Sequence, residues 1–261
     1  MDWHNEIEII EIELQEHINS LEKKFIQSYL PPKVEDTPDV FGHMVQAFCL
    51  LSHAAFEHFI ERISQSMANY AIDNYICRSE VNSCLLSLCL FYKIDIQAAA
   101  EKDEQSTNLD LLRKALNEAK RIHGQAIFGN HGFSLEYLRK SLTPIGINIP
   151  KETRLESSLK VLTDARGTYA HTLAKGANYY EDKGKAKTPK ILVPEDARST
   201  AADCLELCLS ISKQIKGMFP VAVVQPSLRS LRITRWRNRK SEASIKKSSR
   251  KKKKIWCQTL I

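Results

Sequence analysis

Arg166 and His171 are the residues whose types and spacing point most directly to chemistry. They bracket the stretch Arg166-Gly167-Thr168-Tyr169-Ala170-His171, with four residues between them. A histidine of ordinary pKa, near ~6.5, gives or takes a proton at neutral pH. An arginine presents a planar fork of donors that can hold a phosphate oxygen pair or a developing negative charge. Together they suit proton transfer beside a phosphate. The spacing by itself has little specificity. Random placement of this chain's arginines and eight histidines gives roughly one match with four to six intervening residues. On a straight helix the two side chains stand about 140° apart in azimuth and ~7.5 Å apart along the axis. Both can serve one phosphate if the helix loosens near Gly167, if the arginine reaches round, or if two chains share the site. Two other readings stand beside this one. The pair is a surface arginine and a helix-terminal histidine resting on the helix's own last carbonyls, or it lines a cleft that binds without cleaving.

Asp164, Thr168 and Thr172 flank the pair and could orient His171, although surface residues at those positions need no such role. Far upstream, His53, Glu57 and Glu61 step by four and so share one stripe of a helix. Glu57 or His53 could assist a cleft; a solvated polar face or a local His–Glu pair explains the stripe equally well. The stripe offers no recognised metal-ligand spacing, so neither a metal nor another cofactor is expected. The chain also lacks G-x-x-x-x-G-K-[ST], G-x-G-x-x-G and G-x-S-x-G. Nucleoside-triphosphate hydrolysis, dinucleotide binding and α/β-hydrolase chemistry are therefore unsupported.

The elements that must position these residues read as helices. Glycine and proline number nine each in 261 residues, and scarcity of both favours long helices over a β-rich fold. Ile7, Ile10, Leu14, Ile18, Leu21, Phe25 and Ile26 recur at helical steps and predict a helix over 3–30, stopped by Pro31-Pro32. Val45, Phe48, Leu51, Ala55, Phe59 and Ile63 predict a second over 39–76. Residues 80–100 are apolar enough for a buried helix, with a strand open as an alternative at 89–96. Ser106-Thr107-Asn108 caps a helix to about His123, and Gly124, Gly129, Asn130 and Gly132 mark a loop. A short helix follows from Ser134 to Leu142. Leu155, Leu159, Leu162, Ala165 and Tyr169 form the apolar face of a helix over 152–173, which carries the Arg–His pair near its end. A polar excursion spans 175–190. Pro194-Glu195-Asp196 opens a last helix to about Lys216, proline being tolerated in a first turn whose dipole favours acids.

That order of helices, with an R-x4-H element on a late one and the segment Leu51-Ser52-His53-Ala54-Ala55-Phe56-Glu57-His58-Phe59-Ile60-Glu61 on an early long one, resembles the HEPN superfamily. The likeness is to its prokaryotic branches in toxin–antitoxin and phage-defence loci, over roughly residues 40–215. The resemblance implies an all-α, HEPN-like helical bundle with long N-terminal helices. It implies a metal-independent endoribonuclease, plausible as a toxin or defence effector, in which Arg166 and His171 are catalytic. RNA carries its own nucleophile, the 2′-OH, so no cofactor is required. The resemblance also implies a homodimer that brings two copies of the motif into one cleft, an RNA substrate, and an antitoxin or regulatory protein as a further partner. One position departs from the family pattern. The residue after the arginine is usually polar, often Asn, Asp or His, and here it is Gly167. A non-catalytic helical module that dimerises and binds RNA or protein is the alternative.

The formal charge of +7 is unevenly placed. Residues 229–254 hold thirteen Lys and Arg against one acid, Glu242, which leaves the rest of the chain at −5. The body is therefore not a basic nucleic-acid-binding surface. The basic block reads as a disordered tail. Arg235, Trp236, Arg237, Lys251 and Lys252 would supply phosphate neutralisation beside base stacking, or no specific contact at all. The expected organisation is an N-terminal helix over 1–36, a helical domain over 37–220 and the tail over 221–261. Seven scattered cysteines without a CxxC argue against a disulfide framework or a zinc knuckle; Cys84/Cys89 and Cys204/Cys208 read as buried free thiols. No signal peptide and no membrane-spanning run is evident, which points to a reducing cytoplasm and no membrane insertion.

Overall fold

The computed structural model describes residues 3–33, 37–94, 107–129, 131–175 and 192–219, without the side chains of 108, 109 and 170–175. Among the described residues the fold is all-α, an arrangement of helices around one very long one. In chain order these are α1 (Trp3–Phe25), α2 (Pro38–Arg78), α3 (Ser83–Phe91), α4 (Asn108–Phe128), α5 (Leu135–Leu142), α6 (Thr153–Lys175) and α7 (Pro194–Met218). Short 3-10 turns follow α1 at Gln27–Tyr29 and α5 at Thr143–Ile145. The all-helical class and the bundle architecture agree with the sequence reading. The basic block at 229–254, and with it the expectation of a disordered tail, lies outside the described residues.

At 41 residues, α2 is about 60 Å long and serves as the axle of the molecule. The other six helices all pack against it. It therefore buries side chains around much of its circumference, among them Phe41, Val45, Phe48, Cys49, Phe56, Phe59, Ile60, Ile63, Met67 and Ile72. A helix enclosed this way loses the one-sided pattern of a surface helix. By contrast α1 is cleanly amphipathic. Trp3, Ile7, Ile10, Leu14, Ile18 and Leu21 face α2 and α7, and they belong to the same core as the residues of α2, α6 and α7. The partner helices α6 and α7 are pinned at the surface by Arg154. It pairs with Asp203 and, at 2.7 Å, with Glu206, while the Ser158 hydroxyl donates to Asp203 at 2.6 Å.

Several boundaries differ from the sequence reading for local reasons. The third helix starts at Ser83, not near residue 80, because the Asn82 side chain accepts from the Leu85 amide at 2.8 Å and caps it there. It is helical through Phe91, so the strand alternative fails at its first residues; 95–100 lie outside the described residues. The Thr107 cap stands where expected, its hydroxyl accepting from the Asp110 amide at 3.3 Å. The helix it opens runs past Gly124 to Phe128. Gly124 is thus not a loop marker. A Cβ there would sit 3.3 Å from Oε1 of Gln65 on α2, so a larger residue would require that side chain to shift slightly. Ser134 caps α5 through the Tyr137 amide at 3.2 Å.

One set of polar groups in the core is tied together around His123. His123 is fully buried, and the Tyr92 hydroxyl lies 3.0 Å from its Nδ1 and Ser64 Oγ 3.1 Å from its Nε2. Ser64 in turn donates to the Ser141 carbonyl at 2.7 Å. These bonds couple α2, α3, α4 and α5. Cys84, Cys204 and Cys208 are buried free thiols and Cys89 is half-buried. Burial raises the thiol pKa at each, the reverse of what a reactive cysteine needs. Among the described residues no helix is long and apolar enough to cross a membrane.

Candidate functional site

The stripe on α2 is where the fold concentrates ionisable groups. His53 is buried beneath the loop that joins α4 to α5, and Phe133 of that loop lies edge-on to its ring, with centroids 6.2 Å apart. The Phe133 amide donates to His53 Nε2 at 3.1 Å. An accepting Nε2 leaves the proton of the neutral ring on Nδ1, which faces Glu57 Oε2 at 3.8 Å. The other carboxylate oxygen of Glu57 accepts from the Gly132 amide. Two consecutive loop amides are thus held by two side chains one turn apart on α2. The loop is also pinned from the far side. Phe133 stacks on Phe56 with centroids 5.2 Å apart, and the Thr163 hydroxyl of α6 lies 2.7 Å from the Phe133 carbonyl. Presenting these amides requires Gly132 to adopt φ +132°, a conformation open to glycine.

Burial, and after it the positive charge of Arg166, lowers the His53 pKa to about 4. At neutral pH His53 is uncharged and occupied as an acceptor, so it positions the loop and is not a proton donor. The solvated-face reading of this residue is corrected by its burial. Its 3.8 Å approach to Glu57 is the local His–Glu pair. The same electrostatic coupling places Arg166 of α6 in the neighbourhood of the α2 stripe. Arg166 itself is exposed.

The helix carrying Arg166 is helical without interruption through Gly167 to Lys175. Loosening of the helix near Gly167 is therefore not how the pair would converge. A reaching arginine, or a site shared between two chains, remains. A Cβ added at Gly167 would meet none of the described residues within 4 Å, so their packing gives no reason for glycine there. The backbone of His171 belongs to α6, and its side chain lies outside the described residues.

Glu57 pairs with His53, whose pKa the charge of Arg166 also lowers. Asp164 is exposed and lines a shallow groove with Ser134, Glu156 and Lys160, two residues round α6 from Arg166. The Thr168 hydroxyl bonds back to the Asp164 carbonyl at 2.8 Å. Arg235, Trp236, Arg237, Lys251 and Lys252 lie outside the described residues.

The sequence reading missed His131. It is exposed, and one ligand atom from each of Glu57, Glu61 and His131 lies within 4.8 Å of the others. Nothing in the sequence could have joined it to the stripe, because seventy residues separate it from Glu61 and only the folded loop brings them together. Tyr137 of α5 closes the cluster from inside. Burial, then the charges of Glu61 and Glu57, push its phenol pKa well above the usual value.

The family model described as RiboL-PSP-HEPN matches residues 5–217. No curated protein and no solved structure matches the chain.

Proposed function

The chain belongs to the RiboL-PSP-HEPN family, and on that premise we propose that it is a HEPN-type, metal-independent endoribonuclease acting through Arg166 and His171. The observation that carries this reading is the place of Arg166. It stands exposed on the helix that also carries His171, near enough to His53 of the α2 stripe for its charge to act there. In the proposed reaction a ribose 2′-OH attacks the adjacent phosphorus while His171 takes its proton. The bond from phosphorus to the 5′-oxygen breaks, and that oxygen is protonated as it leaves. The products are a 2′,3′-cyclic phosphate and a 5′-OH. Arg166 neutralises the non-bridging oxygens as charge grows on them.

One histidine cannot be base and acid at once, and an unbroken α6 holds Arg166 and His171 about 140° apart. Two copies across a two-fold axis would supply one histidine for each proton transfer and an arginine for the phosphate. The proposed enzyme is therefore a homodimer. The basic block at 229–254 would add phosphate contacts that carry no chemistry. A role as a toxin or defence effector, held in check by an antitoxin or regulatory protein, follows from the family branch that the sequence resembles.

Incubation of the full-length protein with total RNA in EDTA tests the reading. The wild type should cleave. His171→Ala and Arg166→Ala should each lower the rate by at least ~100-fold with helical content by circular dichroism unchanged. Cleavage that survives both substitutions would end the assignment. Gly167 favours a second reading, in which the chain dimerises and binds RNA or protein without cleaving, since the polar residue usual at that position is missing.

A further inference from the structure

The loop between α4 and α5 brings an imidazole against two carboxylates that stand one turn apart on α2. One donor atom each from Glu57, Glu61 and His131 lies within 4.8 Å of the other two. Donors bound to one first-row ion at bonds of ~2.0–2.2 Å are themselves roughly 3–4 Å apart, so small side-chain adjustments close the set. The geometry is prepared in two respects. Glu57 is oriented from both sides, by the Gly132 amide on one oxygen and by His53 Nδ1 at 3.8 Å from the other, and each oxygen keeps a lone pair for a ligand. Such a hydrogen bond orients a ligating carboxylate, as outer partners do in known metal sites. His131 is the neighbour of Gly132, so the bond that fixes Glu57 also fixes the backbone from which the imidazole projects.

A second observation is independent of these hydrogen bonds. The Tyr137 hydroxyl is buried against the same two carboxylates, and its contacts with Glu61 and Ser141 fall short of a normal hydrogen bond. A buried hydroxyl held only by poorly aligned contacts gives up part of the ~1–3 kcal/mol that full pairing would save. Water or another ligand oxygen on an ion in this cluster would satisfy it.

We propose that Glu57, Glu61 and His131 form a binding site for one divalent first-row metal ion, of the zinc or manganese class, that ties the α4–α5 loop to α2. Two carboxylates with one imidazole suit such ions better than magnesium or calcium, which favour all-oxygen sets. Three protein ligands leave open positions for water. The ion is a clamp on the loop and not a participant in RNA cleavage. Stripping it with EDTA therefore leaves the proposed ribonuclease chemistry in place, and the two proposals fail separately.

Cobalt(II) is the probe, because its absorption separates nitrogen and oxygen ligation from thiolate ligation at the exposed Cys77. Full-length protein purified without an affinity tag and dialysed against EDTA is titrated with Co2+, then challenged with Zn2+, Mn2+ and Mg2+. One equivalent should bind with d–d bands and no thiolate charge-transfer band. Zn2+ should displace it and an equal concentration of Mg2+ should not. Loss of even an outer partner costs metal sites about tenfold or more in affinity, so Glu61→Gln and His131→Ala should each weaken binding by at least that factor. His131 is exposed, so its substitution leaves the core intact and the comparison interpretable. Equal affinity in the wild type and both variants, a thiolate band, or no stoichiometric binding would overturn the site.

Discussion

Two glycines and two histidines show how the same residue type takes opposite parts. Gly167 lies inside an unbroken helix, and none of the described residues stands where a side chain would go. None of the described neighbours demands a glycine, and glycine in a helix interior costs about 0.5–1 kcal/mol relative to alanine. Gly167→Ala should therefore raise stability by roughly that amount in urea denaturation, while leaving RNA cleavage within about twofold of wild type if the chemistry belongs to Arg166 and His171. A fall in stability would show that the position carries a constraint the fold does not reveal. His53 and His131 diverge in the same way. The first is buried, uncharged and occupied by a loop amide; the second is exposed beside two carboxylates. Only the second has the access that a ligand or a proton requires.

The α4–α5 loop is the element on which both proposals turn. Four groups hold it: Glu57 on the Gly132 amide, His53 on the Phe133 amide, Phe56 beneath the Phe133 ring, and Thr163 at the Phe133 carbonyl. Its conformation depends on Gly132 at φ +132°, where a Cβ would strike no neighbour and the whole penalty is backbone strain. Gly132→Ala should destabilise the protein by about 1–3 kcal/mol. It should also speed hydrogen exchange at the Phe133 amide, because the loop can no longer present both donors at once. Unchanged exchange at that amide would mean that the loop is held by its aromatic and α6 contacts alone. The contrast in sign with Gly167→Ala follows from backbone angle, since neither position is crowded.

At the scale of the molecule, the two buried imidazoles link stability to pH. Burial leads in lowering both His53 and His123 from 6.5 to about 4. A group whose folded pKa lies below its unfolded value binds more protons unfolded. Its contribution is then complete above about 6.5 and is lost as pH falls towards 4. Between pH 7 and pH 5 each imidazole should remove on the order of 2 kcal/mol. His123 joins α2, α3 and α5 from α4 through Ser64 and Tyr92, so a charge placed on it is buried where four helices meet and the Tyr92 bond must reverse direction. Urea denaturation of wild type and His123→Gln at both pH values checks this. The variant should be less stable at pH 7 yet lose less on going to pH 5; parallel losses would show that His123 does not titrate with unfolding.

What the sequence determined by itself was periodicity and punctuation. The steps of Ile7, Ile10, Leu14 and Ile18, and of Leu155, Leu159, Leu162 and Tyr169, report which face each helix buries, because burial of a helix face is a local pattern. The caps at Thr107 and Ser134 were legible for the same reason: a side chain meets an amide three residues on. The R-x4-H spacing and the order of helices sufficed for the family. Tertiary structure decided the rest. Gly124 looks like a loop residue until Gln65 of α2 stands 3.3 Å from its missing Cβ. The α2 stripe looks solvated until a loop eighty residues away covers His53. His131 has no neighbour in sequence that marks it, and it joins Glu57 and Glu61 only when the loop folds back. These contacts are long-range, set by how six helices pack round α2, and no window of sequence contains both partners.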